Sequence, residues 1–144
     1  MNPISSGANK LLTLEYYRSF IKFAIVGAIG VVVNEGLLVA IQSEGVYFLY
    51  AGAVSIEASI LSNFVLNDLW TFSDRRTGSI AGRLAKFNAL MLAGLALNLV
   101  VLDVGTVYLG MASVLANLVG IIAAFALRYG LSVKYAWMKP ERSP

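Results

Sequence analysis

The chain has 144 residues, of which 58% are hydrophobic and only 13% charged, with a formal net charge of +3. Soluble domains carry about a quarter charged residues and under half apolar ones, so this composition points to residence in a bilayer. The complete absence of cysteine and histidine excludes disulfides, thiolate nucleophiles, imidazole bases and most zinc sites, leaving carboxylates, amides, hydroxyls, Lys, Arg and aromatics for any chemistry.

In chain order, residues 1–19 are mixed and polar, with Pro3, Gly7, Lys10, Glu15 and Arg18. No apolar core precedes Phe20, so the segment does not read as a secretory leader. Leu11, Leu12, Leu14, Tyr16 and Tyr17 allow either a short helix on the membrane surface or a loose tail. A first spanning helix is expected over 20–41, since about 20 mostly apolar residues cross the hydrocarbon core. It holds Lys22 near its start and Asn34 and Glu35 inside. After the short turn Gln42-Ser43-Glu44-Gly45, a second span is expected over 46–66, with Glu57 and Asn63 inside. The polar stretch 68–82 precedes a third span over 87–104, carrying Asn88 and Asn98. A turn over 105–110 leads to a fourth span over 111–131, with Asn117 and Arg128. The expected organisation is an N-terminal segment over 1–19, a four-helix transmembrane domain over 20–138 and a basic tail over 139–144.

The second span ends in Ser62-Asn63-Phe64-Val65-Leu66-Asn67-Asp68-Leu69-Trp70-Thr71-Phe72, followed by Asp74, Arg75 and Arg76. Polar groups, then aromatics, then positive charge mark a helix leaving a bilayer on its cytoplasmic side. The eleven basic residues agree. Lys10, Arg18 and Lys22 precede or begin the first span; Arg75, Arg76, Arg83 and Lys86 lie between spans two and three; Arg128, Lys134, Lys139 and Arg142 end or follow the fourth. The two opposite turns hold none, which predicts a multi-pass protein of the cell membrane with both termini and the middle loop cytoplasmic. The basic charge is then a topology signal and a contact for anionic membrane lipids, with no nucleic acid needed to account for it.

The chain also resembles itself. A shift of 64 lays Lys22-Phe23 on Lys86-Phe87, Gly30 on Gly94 and Asn34 on Asn98; a shift of 65 lays Asn63 to Asn67 on Arg128 to Ser132, and Trp70-Thr71-Phe72 on Tyr135-Ala136-Trp137. The expected fold is therefore an all-α integral membrane protein, its four transmembrane helices arranged as two parallel helix-pair repeats.

With Lys22-Phe23-Ala24-Ile25-Val26-Gly27 opening span one, Asn34 inside it, Asn63-Phe64-Val65-Leu66-Asn67 and Trp70-Thr71-Phe72 closing span two, Lys86-Phe87 opening span three, and Arg128-Tyr129, Ser132 and Trp137 closing span four, the chain resembles the GtrA-like family of small four-helix membrane proteins. The strings Asn34-Glu35-Gly36, Ile56-Glu57 and Ser62-Asn63 resemble an archaeal-type branch in which a similar module can be fused to a polyprenyl-phosphate glycosyltransferase; no such catalytic domain is expected within these 144 residues. The resemblance implies a carrier or flippase component for polyprenyl (dolichyl or undecaprenyl) phosphate-linked sugars, serving cell-surface polysaccharide or glycoprotein synthesis. It implies no enzymatic activity and no cofactor. The implied partners are the polyprenyl-phosphate sugar lipid and either a second copy of the chain or a polyprenyl-phosphate glycosyltransferase. Two alternatives stay open: a non-transporting anchor or regulatory subunit of such a glycosyltransferase, and a small proton-coupled multidrug exporter.

The residues that bear on this function are few. Glu35 and Glu57 are ionisable groups inside spans, costing about 2.5–3.5 kcal/mol each at mid-helix, so they are expected inside the bundle, either lining a path for a sugar or bracing helices. Asn63 and Asn67 share a face, with Trp70 extending it, while Asn34 and Asn98 lie at matching depths. These amides either bind sugar hydroxyls or join helices. Arg128 suits a phosphate, or a pair with Asp68 or Asn63. Lys22, Arg83, Lys86 and Lys134 add charge near that level, either as a phosphate ring or as plain anchors. Trp70, Phe72, Tyr135 and Trp137 are expected in an interfacial aromatic belt. Gly27, Gly30, Gly94 and Gly120 are expected where helices pack closely. The candidate substrate contacts are thus Asn34, Glu35, Glu57, Asn63, Asn67, Asp68, Lys86 and Arg128, with no catalytic residue and no metal ligand.

Overall fold

The computed structural model describes residues 3–138, with side chains from Thr13 onward. The side chains of Lys10, Leu11 and Leu12, and the tail expected over 139–144, lie outside the described residues. Among the described residues every regular element is helical, and the chain divides into two compact units, Met1–Ser73 and Asp74–Pro144. Each is a helical hairpin.

In the first hairpin, α1 (Pro3–Ser43) is a single helix of 41 residues. Proline is harmless in a first helical turn, whose N–H groups have no partner in any case. The stretch left open as a surface helix or a tail is, from Pro3 on, the beginning of the helix that also forms the first span. At about 1.5 Å per residue α1 is about 60 Å long, twice the depth of a hydrocarbon core. It stops where Ser43 Oγ donates to the Ala40 carbonyl (2.7 Å) and Gly45 takes a left-handed φ of +79°. Tyr47 is extended (φ −57°, ψ 135°) and starts α2 (Phe48–Leu66), accepting from the Tyr50 and Ala51 N–H groups at 3.0 and 3.1 Å. The turn between the helices is too short for anything but an antiparallel return.

α2 does not end in a simple cap. It widens into a π-helical turn, Asn67–Thr71, closed by the Phe72 N–H on the Asn67 carbonyl at 2.8 Å. Between α1 and α2 the side chains are small: Ala51 and Ser55 are fully buried, and Ser59 Oγ donates to the Gly30 carbonyl at 2.8 Å. Small residues let membrane helices approach closely enough for backbone contact, which replaces the hydrophobic driving force that lipid does not supply. Phe23, Val26, Phe64 and Phe72 fill the space nearer the open end of the hairpin.

The second hairpin repeats the two helices and the closing π-turn, and adds a π-turn at the end of its first helix. Its entry is tied down locally: Arg75, 2% exposed, pairs with Asp74 at 3.8 Å, Gly78 turns at φ +68°, and Arg83 Nη1 donates to the Thr77 and Gly78 carbonyls at 3.1 and 2.9 Å. Ser79 Oγ accepts from the Gly82 N–H at 3.1 Å and caps α3 (Ile80–Asp103). This cap explains why α3 starts inside the stretch expected to be loop. A π-helical turn, Val104–Tyr108, extends α3 before Gly110 reverses the chain at φ +63°. Ala112 (φ −58°, ψ 133°) starts α4 (Ser113–Leu131), which widens into a third π-helical turn, Ser132–Ala136, closed by the Trp137 N–H on the Ser132 carbonyl at 2.8 Å.

Four helical stretches, Thr13–Ser43, Phe48–Thr71, Ile80–Tyr108 and Ser113–Ala136, are long and apolar enough to cross a membrane. Their apolar side chains are mostly exposed, as at Val32, Leu92 and Ile122. A water-soluble fold would cover such a surface; a lipid-facing helix has no reason to.

Candidate functional site

In the first hairpin the polar side chains form a seam. Gly30 and Asn34 come from α1; Asn63, Asn67 and Thr71 come from α2 and its π-turn. Spacings of four keep the last three on one face. The Asn63 amide lies directly on Gly30, where a Cβ would overlap both its Nδ2 and its Oδ1. Asn67 is 1% exposed and Thr71 4%. The Oδ1 atoms of Asn34, Asn63 and Asn67 and the Thr71 Oγ1 are buried without a hydrogen-bond partner. Asn34 Nδ2 is turned to Glu35 Oε1 at 3.4 Å, which fixes which end of that amide is the free acceptor. An unpaired buried acceptor costs about 1–3 kcal/mol, and a seam holding four of them is unlike a structural core. Asp68, in the same π-turn, is buried and engaged within the fold. Lys22 Nζ donates to the Trp70 carbonyl at 3.2 Å and lies 5.4 Å from the ring centroid.

Glu35 meets the seam at Asn34, whereas Glu57 lies on an exposed face of α2. Both are exposed, so neither is covered by its own hairpin. Val32 and Val39, 72% and 65% exposed, share the stripe of Glu35, and Glu57 is flanked by Ile56 and Leu61.

In the second hairpin the corresponding place is taken by a cation. The Arg128 stem crosses α3 over Gly94, where a Cβ would meet Cγ and Cδ at 2.8 Å and overlap Nε. Arg128 Nη2 donates to the Met91 carbonyl at 3.2 Å, while Nε is buried without a partner. Asn98 packs on Gly120 in the same manner, and its Oδ1 is unpaired, as is Ser132 Oγ. Lys86 is exposed on α3. Arg83, expected to contribute to a ring of positive charge, is buried and holds the loop carbonyls described above.

The aromatic belt divides. Trp70 and Tyr135 are 42% and 49% exposed and suit a membrane interface, but Phe72 and Trp137 are fully buried. Phe72 packs on Phe23 with centroids 6.1 Å apart, and Trp137 on Phe87 edge-on at 5.6 Å. Residues two apart on a helix point about 200° apart, so one aromatic of each pair faces out and the other in. The wider turn over Asn67–Thr71 also takes Trp70 off the face that Asn63 and Asn67 share. Of the four glycines expected at close contacts, Gly30, Gly94 and Gly120 make them, while Gly27 has open space where its Cβ would be.

The structure thus brings Asn34, Asn63 and Asn67 into one seam, with Asp68 beside it in the π-turn, and puts Arg128 across α3 in the other hairpin. Glu35, Glu57 and Lys86 lie on exposed surfaces. Thr71 and Ser132 were missed by the sequence reading. Their signal was present in the offset of 65, which carries Asn67 to Ser132 and Thr71 to Ala136, so that one copy keeps an oxygen the other lacks.

A family model described as GtrA/DPMS, transmembrane domain, matches residues 22–137. A relative from Pyrococcus furiosus, named dolichol-phosphate mannosyltransferase, is 42% identical over 117 residues, which cover 81% of this chain and 33% of the relative. The chain therefore spans about a third of the length of that relative. The family match takes in the polar seam, Arg128 and both π-turns at the open ends of the hairpins. The protein is a multi-pass membrane protein and belongs to the GtrA/DPMS transmembrane domain family.

Proposed function

We propose that the chain is the non-catalytic membrane part of polyprenyl-phosphate sugar chemistry and carries the lipid-linked sugar across the bilayer. The observation that supports this most is the set of buried polar atoms without partners, carried in spans where water cannot satisfy them. A sugar-bearing lipid supplies the hydroxyls and phosphate oxygens those atoms lack. Arg128 and Lys86 supply positive charge for the phosphate; Asn34, Asn63 and Asn67 offer amides to the sugar, with Asp68 in the same turn. Glu35 and Glu57 give the exposed face of their hairpin a carboxyl at two depths.

The two hairpins are, in this reading, copies of one unit. Each crosses the membrane twice, so both begin and end on the cytoplasmic side of the cell membrane. Cysteines placed at Ser43 and Leu109 are expected to react with an impermeant maleimide on intact cells, and one at Thr77 only after permeabilisation. The opposite pattern would reverse the topology.

Transport itself is tested in liposomes holding the purified chain and a short-chain polyprenyl-phosphate hexose. The wild type is expected to move the lipid between leaflets, and Arg128→Ala and Glu57→Ala are each expected to slow it by roughly tenfold or more, as losing a charge-assisted contact implies. Normal movement in both variants would remove these two residues from the path. The relative's name and length favour a second reading, an anchor that positions a glycosyltransferase. That reading predicts co-purification with such an enzyme and no lipid movement by the chain alone.

A further inference from the structure

We infer that Ser132 is a positioning residue for Arg128: when a phosphate docks, the Ser132 hydroxyl accepts from Arg128 Nε and holds the guanidinium by its inner edge, with Nη1 turned to a phosphate oxygen. The inference rests on the proposed phosphate contact at Arg128, lies wholly within the α3–α4 hairpin, and adds a residue that acts on the lipid only through Arg128.

The face that α4 turns to α3 is built of small residues. Ala116, Gly120, Ala124, Ser132 and Ala136 recur every fourth residue and all are buried, and Arg128 fills the one remaining place in the series. Within this stripe only Arg128 and Ser132 carry polar side-chain atoms, and residues four apart on a helix are neighbours. Contacts across the hairpin put the two groups at one level. The Arg128 stem crosses Gly94, its Nη2 reaches back to the Met91 carbonyl, and Trp137 meets Phe87. The guanidinium therefore lies between the levels of Gly94 and Phe87 on α3. Ser132 lies between Arg128 and Trp137 on the facing strand of the hairpin, which is the same interval.

Neither group is used by the fold that encloses it. A helical serine readily returns its hydroxyl to a carbonyl three or four residues back. Ser19 does so to Glu15 at 2.9 Å, Ser43 to Ala40 at 2.7 Å and Ser55 to Gly52 at 3.0 Å. Ser132 has no exposed surface and makes no such bond. Arg128 Nε is enclosed as well and has no acceptor. One atom donates and the other accepts, so each supplies what the other lacks. The first hairpin provides the comparison. There the same two places hold Asn63 and Asn67, whose enclosed unpaired atoms are both carbonyl oxygens and cannot bond each other. The complementary pair exists only where the cation is.

The free edge of the guanidinium completes the case. Nη2 is taken by the Met91 carbonyl and Nε is enclosed, which leaves Nη1 as the edge open to a ligand. A guanidinium held at one point swivels about it. A second contact, at Nε, fixes its plane, and a group fixed beforehand loses less freedom on binding.

The test uses the full chain in nanodiscs, titrated with citronellyl phosphate, a short isoprenoid phosphate, and with inorganic phosphate. The wild type is expected to bind citronellyl phosphate the more tightly of the two. Ser132→Ala and Ser132→Cys are each expected to weaken citronellyl phosphate binding by roughly fivefold or more, the loss of one hydrogen bond to a charged group. Resistance to denaturing detergent is expected to stay as in the wild type, because no bond of the fold depends on that hydroxyl. In an Arg128→Ala background, adding Ser132→Ala is expected to weaken binding no further. Wild-type affinity in Ser132→Ala, a loss that persists at full size in the Arg128→Ala background, or a loss matched by lower stability overturns this inference and leaves the phosphate contact standing. Unchanged binding in Arg128→Ala overturns the proposed contact, and this inference with it. Inorganic phosphate binding as tightly as citronellyl phosphate overturns the lipid as the ligand of this site.

Discussion

Trp137→Ala is expected to destabilise the chain by about 3–5 kcal/mol, the usual cost of truncating a fully enclosed large aromatic. The ring has no exposed surface and meets Phe87 edge-on at 5.6 Å. It sits at the open end of the α3–α4 hairpin, where no covalent turn holds the helices together. Lipid does not drive helices together as water does, so much of the attraction between α3 and α4 is direct contact between atoms, and removing a ring there forfeits it. Unfolding in mixed micelles with increasing denaturing detergent measures the loss. Tyr135→Ala and Trp70→Ala provide the comparison, because both residues are nearly half exposed and their removal is expected to cost under about 1 kcal/mol. Equal losses for all three would mean that Trp137 is an interfacial anchor after all.

The second large effect is expected at Gly94. A Cβ there falls 2.8 Å from Arg128 Cγ and Cδ and overlaps Nε, so Gly94→Val must push the guanidinium off α3. Overpacking of this kind costs about 1–3 kcal/mol. It also breaks the bond from Arg128 to the Met91 carbonyl, and is expected to weaken binding of citronellyl phosphate by roughly tenfold or more. The double variant Gly94→Val with Arg128→Ala removes the clash together with its target. Its stability is expected to exceed the sum of the single losses by about 1 kcal/mol or more, the coupling typical of residues in contact. Strict additivity would mean that the side chain does not lie across that glycine.

What could be read from the chain beforehand follows from what leaves a mark on composition. Four helices were legible because a bilayer demands long apolar runs, and the extent of each run is visible in the residues themselves. The π-turns were not. Widening Asn67–Thr71 by one residue per turn changes which carbonyl an N–H reaches and leaves the residue types unaltered. Phe72 and Trp137 were expected at the interface and instead fill the hairpins, because aromatics two residues apart on a helix cannot both face the lipid. The glycines show a related limit. Gly30 and Gly94 were recognisable as contact points, but their partners, Asn63 and Arg128, lie on another helix, and spacing along one helix does not reveal what crosses from the next. Arg83 looked like part of a charged ring because the sequence cannot show that two loop carbonyls, presented around Gly78, already occupy it.

The unbroken run of α1 from Pro3 to Ser43 makes it a lever. Pivoting such a rod by about 20°, an ordinary inclination for a spanning helix, sweeps one tip through roughly 20 Å relative to the other. Whatever grips its first turns therefore senses, and can impose, small rotations of the segment that bears Gly30, Asn34 and Glu35.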